Sequence, residues 1–211
     1  MSLSGEKLIA EKLLEVGAVK LSVDKPFTWA SGWKSPIYCD NRKLLSFPFI
    51  RDFVKSELCN KIFEQYSETE AIAGVATAGI PWGELVADQL KLPFVYVRAK
   101  PKTHGMGNQI EGVISAGEKM IMIEDLISTG MSSLEAVAAL QTNNVHVISV
   151  ISIFNYGFQT AIDAFAKANV QFESLTDYAT LIELAIEKSI VKAEEQASLL
   201  KWREHPETWK S

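Results

Sequence analysis

Short apolar runs alternate with helical patterns through most of this chain, and that alternation constrains the fold more than any other feature. Residues 71–76, 94–97, 119–123, 145–154 and 170–174 read as strands. The run at 145–154 is almost continuously apolar, as a strand covered on both faces must be. Helical patterns occupy 47–66, 82–90, 132–143, 161–168 and 178–188, with Pro48 in the first turn of the first of these. The spacing predicts an α/β fold: a doubly wound, mainly parallel sheet flanked by helices. Before it lie a helix over 6–16 ended by Gly17, a strand over 19–23 and an aromatic, Gly- and Pro-rich hairpin or loop over 26–40. After it comes a last helix over 193–204, with a tail that carries Trp209.

The segment 119–133 carries the chemistry. Met120, Ile121, Met122 and Ile123 run into two adjacent carboxylates, Glu124 and Asp125. Ser128, Thr129, Gly130, Ser132 and Ser133 follow, and then a helix pattern. Free N–H groups at a helix start face an anion such as phosphate. Carboxylates at a strand end accept hydrogen bonds from sugar hydroxyls or hold a hard cation. A phosphorylated sugar offers both groups. A strand–Asp–Ser/Thr/Gly–helix join is also an ordinary way to cap a helix. Two repelling carboxylates and five hydroxyl or glycine residues in six positions exceed what one cap requires.

Bulk properties exclude other classes. A chain of 211 residues with 47% hydrophobic residues can bury a full core without cross-links. Its net charge of −5 argues against a general nucleic-acid binder. Cys39 and Cys59 form no C-x-x-C pair, which suits a reducing cytoplasm. No apolar run reaches the ~18 residues that span a bilayer, and no signal-peptide core opens the chain. Together these predict a cytoplasmic protein with no membrane and no nucleic-acid partner. No Gly-Lys pair exists for a P-loop. Gly105 and Gly107 start a dinucleotide fingerprint that Ile110 breaks. His104, His146 and His205 are too scattered for a histidine metal site.

A basic stretch leaves the strand at 94–97. Arg98, Lys100, Lys102 and His104 alternate, so an extended backbone would set all four on one face. Composition admits two readings: a solvated surface loop, or a lid that closes over a pyrophosphate, with Gly105 and Gly107 as hinges.

With both segments in view, the chain resembles the orotate phosphoribosyltransferases, a branch of the type I phosphoribosyltransferases. Ile123-Glu124-Asp125-Leu126-Ile127-Ser128-Thr129-Gly130 resembles the phosphoribosyl-pyrophosphate motif of the superfamily. Arg98, Lys100-Pro101-Lys102, His104-Gly105, Gly107-Asn108 and Ile110-Glu111-Gly112 are similar to the catalytic loop of the orotate branch. Residues 27–42, from Phe27 through Ser35-Pro36-Ile37-Tyr38-Cys39-Asp40-Asn41-Arg42, are similar to its N-terminal hood, and 72–81 to its pyrophosphate-side loop. The resemblance spans about residues 6 to 209.

That resemblance implies the type I phosphoribosyltransferase fold, with an N-terminal helix and hood over 1–45 and a core with C-terminal helices over 46–211, compact as one whole. It implies transfer of 5-phosphoribosyl from phosphoribosyl pyrophosphate to orotate, giving orotidine 5′-monophosphate and pyrophosphate in pyrimidine nucleotide synthesis. Lys102, Arg98, His104 and Asp125 would be the catalytic residues. Arg98, Lys102, His104, Glu124, Asp125, Leu126, Ile127, Ser128, Thr129, Gly130, Met131 and Ser132 would bind phosphoribosyl pyrophosphate. Ser128, Tyr38 and Cys39 would face orotate. Magnesium would be held mainly by the substrate, with no direct protein ligand. A homodimer would share loop 98–111 across its interface. The chain departs from the branch at Ala30 and Ala99, where basic residues are common, and at Met131, where Gly is usual. Met takes positive φ at a cost, so the turn must use an ordinary conformation there. No Arg follows Ile153-Phe154-Asn155-Tyr156, which leaves the partner of the orotate carboxylate open between Lys34 and Arg42. Two other readings compete: a purine or uracil phosphoribosyltransferase, which should lack the Lys-Pro-Lys loop, and a non-catalytic phosphoribosyl-pyrophosphate sensor, which should carry a basic nucleic-acid face.

Overall fold

The computed structural model describes residues 4–29, 32–99 and 109–209. Ala30, Lys100, Lys102 and His104 lie outside them.

The chain runs α1 (Gly5–Glu15), β1 (Val19–Leu21), β2 (Phe27–Thr28), β3 (Lys34–Ser35), β4 (Ile37–Cys39), α2 (Pro48–Gln65), β5 (Ala71–Val75), α3 (Gly79–Leu90), β6 (Phe94–Val97) and β7 (Ile110–Glu111). It continues with β8 (Lys119–Ile127), α4 (Met131–Thr142), β9 (His146–Asn155), α5 (Gln159–Ala168), β10 (Gln171–Asp177), α6 (Tyr178–Glu187) and α7 (Gln196–Glu204). Ser4 caps α1 by accepting from the Lys7 N–H, and Gly17 leaves it at φ +63°, as the sequence predicts.

Six strands form one sheet in the order β10-β9-β8-β5-β6-β7. All pair in parallel except β7, which runs antiparallel to β6. Side chains alternate across the sheet and meet a helical layer on each face. Ile72, Ile123 and Ile151 pack with Leu13 of α1, Leu58 of α2, Trp82 of α3, Leu181 of α6 and Trp202 of α7. Ala73, Met122 and Val150 pack with Val137 and Leu140 of α4 and Phe165 of α5. Burial of each such side chain contributes about 1.5–3 kcal/mol. The doubly wound sheet is the expected fold.

Three glycines bring α3 down onto the sheet. A Cβ on Gly79 would strike the Ile123 carbonyl oxygen. One on Gly83 would lie 2.8 Å from the Phe94 ring, and one on Gly74 would lie 2.9 Å from the Gly79 carbonyl oxygen. The Ala76–Thr77 peptide between β5 and α3 is cis.

The structure corrects several boundaries. β8 continues to Ile127 instead of stopping at Ile123, because Glu124, Leu126 and Ile127 pair with Ser152, Phe154 and Asn155 of β9. A long neighbouring strand carries the ladder past the acidic residues, whose own strand propensity is poor. α3 starts at Gly79 and α4 at Met131, both earlier than their apolar periodicity suggests. β7 is too short to leave a periodic signal. The last helical stretch divides into a 3-10 turn, Ala193–Glu195, and α7.

The N-terminal region is a pair of small ribbons. β1 pairs with β4, Val19 opposite Cys39, and β2 pairs with β3, Phe27 opposite Ser35. An aromatic cluster secures them. The Trp29 ring lies 5.0 Å from Tyr156 and 5.6 Å from Trp202, and Tyr156 stacks on Phe158. The Trp202 indole N–H donates to the Lys34 carbonyl at 3.1 Å, and that of Trp29 to the Ile37 carbonyl at 3.2 Å. The C-terminal helix thereby holds the N-terminal hairpin in place.

Candidate active site

In a parallel sheet the strands end together, and β5, β6, β8 and β9 deliver their following turns to one edge. β5 connects to β6 on one side, while β8 lies on its other side, so the crevice between β5 and β8 is a topological switch point.

Glu124 and Asp125 reach that edge inside the β8 ladder, and neighbouring strand residues point to opposite faces. Glu124 turns toward α4 and is only 5% exposed. One of its carboxyl oxygens accepts from the Asp125 N–H at 3.0 Å, the other from the Ser133 hydroxyl at 3.2 Å. Asp125 turns toward the N-terminal ribbons. Its backbone carbonyl accepts from Asn41 Nδ2 at 2.7 Å, and Arg42 is a cation that stabilises its charge. Burial holds the Glu124 carboxyl well above the usual carboxylate range, and the charge of Asp125 adds to this. Burial also raises Asp125, partly offset by its hydrogen bond with Glu124 and by Arg42. The two carboxyls are therefore neighbours in sequence with different surroundings, not two equal teeth of one clamp.

The turn after β8 leaves a helix start open. Gly130 adopts φ +77° as the N-cap of α4, and a Cβ there would lie 2.6 Å from the Phe165 ring. No side chain caps the helix, so its first N–H groups lack the usual partner. Met131 opens the helix in an ordinary helical conformation, exposed to solvent, as its departure from Gly predicts. Ser132 is exposed beside it, while Ser133 is buried against Glu124. Thr129 is half-buried in the same turn, and Ile127 belongs to the core.

A cleft of about 380 Å³ opens next to this turn, lined by Thr28, Trp29, Tyr38, Cys39, Leu126, Ser128 and Tyr156. The structure thus brings together Ser128, Tyr38 and Cys39, the three residues expected to face a base. Burial pushes the Cys39 thiol up, and the charges of Asp125 and Asp40 push it further, so it stays protonated and donates to Asn41 Oδ1 at 3.1 Å. Burial likewise keeps the Tyr156 phenol protonated. Thr28, Trp29 and Tyr156 were not among the expected site residues. Tyr156 sits just past the end of β9, and its place at a strand end is the signal that could have found it. Asn41 and Ser133, which fix the acidic pair, leave no such local signal.

Arg98 emerges at the end of β6, with its N–H on the Gln109 carbonyl at 2.9 Å. Its guanidinium meets the Glu111 carboxylate at 3.3 Å across the β6–β7 pair. These two short strands frame the basic loop, whose Lys102 and His104 lie outside the described residues. Ala99, just past Arg98, is exposed.

The donor set suits a hard cation such as magnesium held by a substrate's oxygens. The strand-end side chains offer carboxyl oxygens rather than thiolates or imidazoles, and Glu124 already spends both oxygens on protein donors. Among the described residues, no group of three or more His, Cys, Asp or Glu side chains could hold a metal alone.

The model of the phosphoribosyl transferase domain matches residues 55–174. The chain is 50% identical over 206 residues to an orotate phosphoribosyltransferase of Phocaeicola vulgatus, covering 98% of this chain and 97% of that one. It is 52% identical over 203 residues to the orotate phosphoribosyltransferase of Bacillus subtilis, covering 96% and 94%. Among solved structures, the orotate phosphoribosyltransferase of Aeropyrum pernix superposes with a TM-score of 0.72 at 27% identity, covering 87% of this chain and 99% of that one.

Proposed function

The chain belongs to the phosphoribosyl transferase family, in its orotate branch, and on that premise we propose how its site performs the transfer. The reaction joins orotate to the 5-phosphoribosyl group of phosphoribosyl pyrophosphate. It gives orotidine 5′-monophosphate and pyrophosphate, a step of pyrimidine nucleotide synthesis.

The bond from the anomeric carbon to the pyrophosphate oxygen breaks as the bond to the orotate ring nitrogen forms, and the proton of that nitrogen passes to solvent or the departing pyrophosphate. Positive charge builds on the ribose and negative charge on the departing pyrophosphate. Asp125, with Glu124 behind it, accepts from the ribose hydroxyls and faces the developing positive charge. The turn from Leu126 to Ser132 receives the 5′-phosphate on the open N–H groups of α4. Tyr38, Cys39 and Ser128 seat the pyrimidine. Arg98, Lys102 and His104 bind the pyrophosphate, and in a homodimer that shares loop 98–111 they serve the neighbouring subunit. The hood segment over 1–45 and the core over 46–211 act as one compact domain. Magnesium would be held mainly by the substrate and would supply positive charge opposite the departing pyrophosphate. The enzyme acts in the cytoplasm. Two free cysteines and the lack of any described helix long and apolar enough to cross a membrane support that setting.

One observation carries this reading: an uncapped helix start and a cleft whose described lining is uncharged share Ser128's turn at the end of the acidic strand. The test is an absorbance assay with magnesium, phosphoribosyl pyrophosphate and orotate, with adenine, hypoxanthine and uracil in parallel. Consumption of orotate alone supports the orotate branch. Consumption of another base instead, or of none while phosphoribosyl pyrophosphate still binds, overturns the reading. Lys102→Ala should cut turnover at least ~100-fold if that lysine acts on the departing group.

A further inference from the structure

Orotate differs from uracil by a carboxylate on the carbon next to its reacting nitrogen. Among the described residues, the side chains that line the cleft that receives it are uncharged. Asp125 adds negative charge to its surroundings, since it raises both the Cys39 thiol and the Tyr156 phenol. An anionic base held there needs a cation from the rim.

We infer that Lys34 supplies it: its ammonium pairs with the orotate carboxylate and selects orotate over uncharged pyrimidines. This rests on the orotate reading above and names the residue that makes it specific. Lys34 sits opposite Thr28 in the β2–β3 pair, and its Nζ donates to Thr28 Oγ1 at 2.9 Å. Thr28 lines the cleft, so the ammonium lies at the rim. Its partner there is a neutral hydroxyl, which a carboxylate outcompetes because a charge-assisted hydrogen bond is roughly twice as strong. The lysine backbone is fixed: the buried Trp202 donates to its carbonyl at 3.1 Å. Arg42 and Lys43, the described cations that follow β4, already have partners. Arg42 Nε is held by Asp40 at 2.6 Å, and Lys43 Nζ donates to the Gly17 carbonyl at 3.0 Å. The four-carbon stem lets the Lys34 ammonium follow the ligand from the rim.

The test compares the wild type with Lys34→Ala and Lys34→Arg. Steady-state kinetics are run with orotate and phosphoribosyl pyrophosphate, and competitive inhibition is measured with the carboxamide of orotate, which keeps the shape and lacks the charge. Lys34→Ala should raise the KM for orotate ~10- to 100-fold, the range of a hydrogen bond to a charged group. The KM for phosphoribosyl pyrophosphate should hold within about threefold, and inhibition by the carboxamide should not weaken. Lys34→Arg should recover part of the loss. An unchanged KM for orotate, in a background where the wild type consumes orotate, overturns the assignment and leaves the function standing. Equal weakening toward orotate and the carboxamide also overturns it, since that is the mark of a structural role. A wild type that does not consume orotate removes the functional reading itself, and this inference with it.

Discussion

Asn41 Nδ2 donates to the backbone carbonyl of Asp125 at 2.7 Å, from a side chain with no exposed surface. The same amide accepts from the Cys39 thiol through Oδ1 at 3.1 Å. One buried side chain therefore couples the acidic strand to the wall of the cleft beside Ser128. Asn41→Ala should leave the Asp125 carbonyl buried without its donor and cost about 1–3 kcal/mol of stability. Turnover should fall as well, because the strand loses its fixed position. Urea denaturation and steady-state kinetics check both, and wild-type values in each would remove the link.

The Glu124–Asp125 pair sets a pH dependence. Burial raises both carboxyls in the folded chain, so the folded state keeps protons that the unfolded state has released. Their contribution is fully present below the ordinary carboxylate range and is lost as pH rises through the raised values. Ligand-free protein should therefore lose this part of its stability as pH rises above the ordinary carboxylate range. Glu124→Gln should flatten that decline and raise the melting temperature at neutral pH. Its amide can still accept from the Asp125 N–H, and the Ser133 hydroxyl can rotate to receive. A steeper decline in the variant would refute the pairing.

Gly79→Ala tests the close seat of α3. Its Cβ would meet the Ile123 carbonyl oxygen and lie 3.3 Å from the Glu124 Cα, both backbone atoms that cannot swing aside. The change should cost about 3 kcal/mol or more. Gly5→Ala is the control, since its Cβ would meet only Glu57 Oε2 at 3.7 Å. It should stay within about 0.5 kcal/mol of wild type or gain slightly through helix propensity. Melting curves that shift equally for the two would show that the clash is relieved.

Sharing of loop 98–111 can be read from a mixed dimer. Each homodimer, Lys102→Ala or Asp125→Asn, should be almost inactive. Mixed subunits should regain one intact site, and so about a quarter of wild-type activity when a random mixture holds half mixed dimers, each with one of its two sites intact. Titration of one subunit against the other measures this. Absence of recovery would place loop and strand in the same subunit.

Much of this was legible in the chain. Apolar alternation named the doubly wound sheet because a strand covered by helices on both faces must be apolar throughout. The turn at Ser128–Gly130 was legible as an open helix start, since small and hydroxyl residues leave room for close approach to its N–H groups. Local pattern failed where a neighbour decided the outcome. Glu124 and Asp125 looked like the end of a strand, yet the β9 ladder draws them into it and sends them to opposite faces.

By itself the sequence determined the order of elements, the acidic motif and the residues of the basic loop, because each depends on composition within a few positions. Only the tertiary structure decided that Trp202 anchors the hairpin of Lys34, that Asn41 holds Asp125, and that Tyr156 walls the cleft beside Ser128. The first two are hydrogen bonds across separations of 168 and 84 residues. Such contacts form when packed layers bring distant backbone groups together, and no local periodicity encodes them.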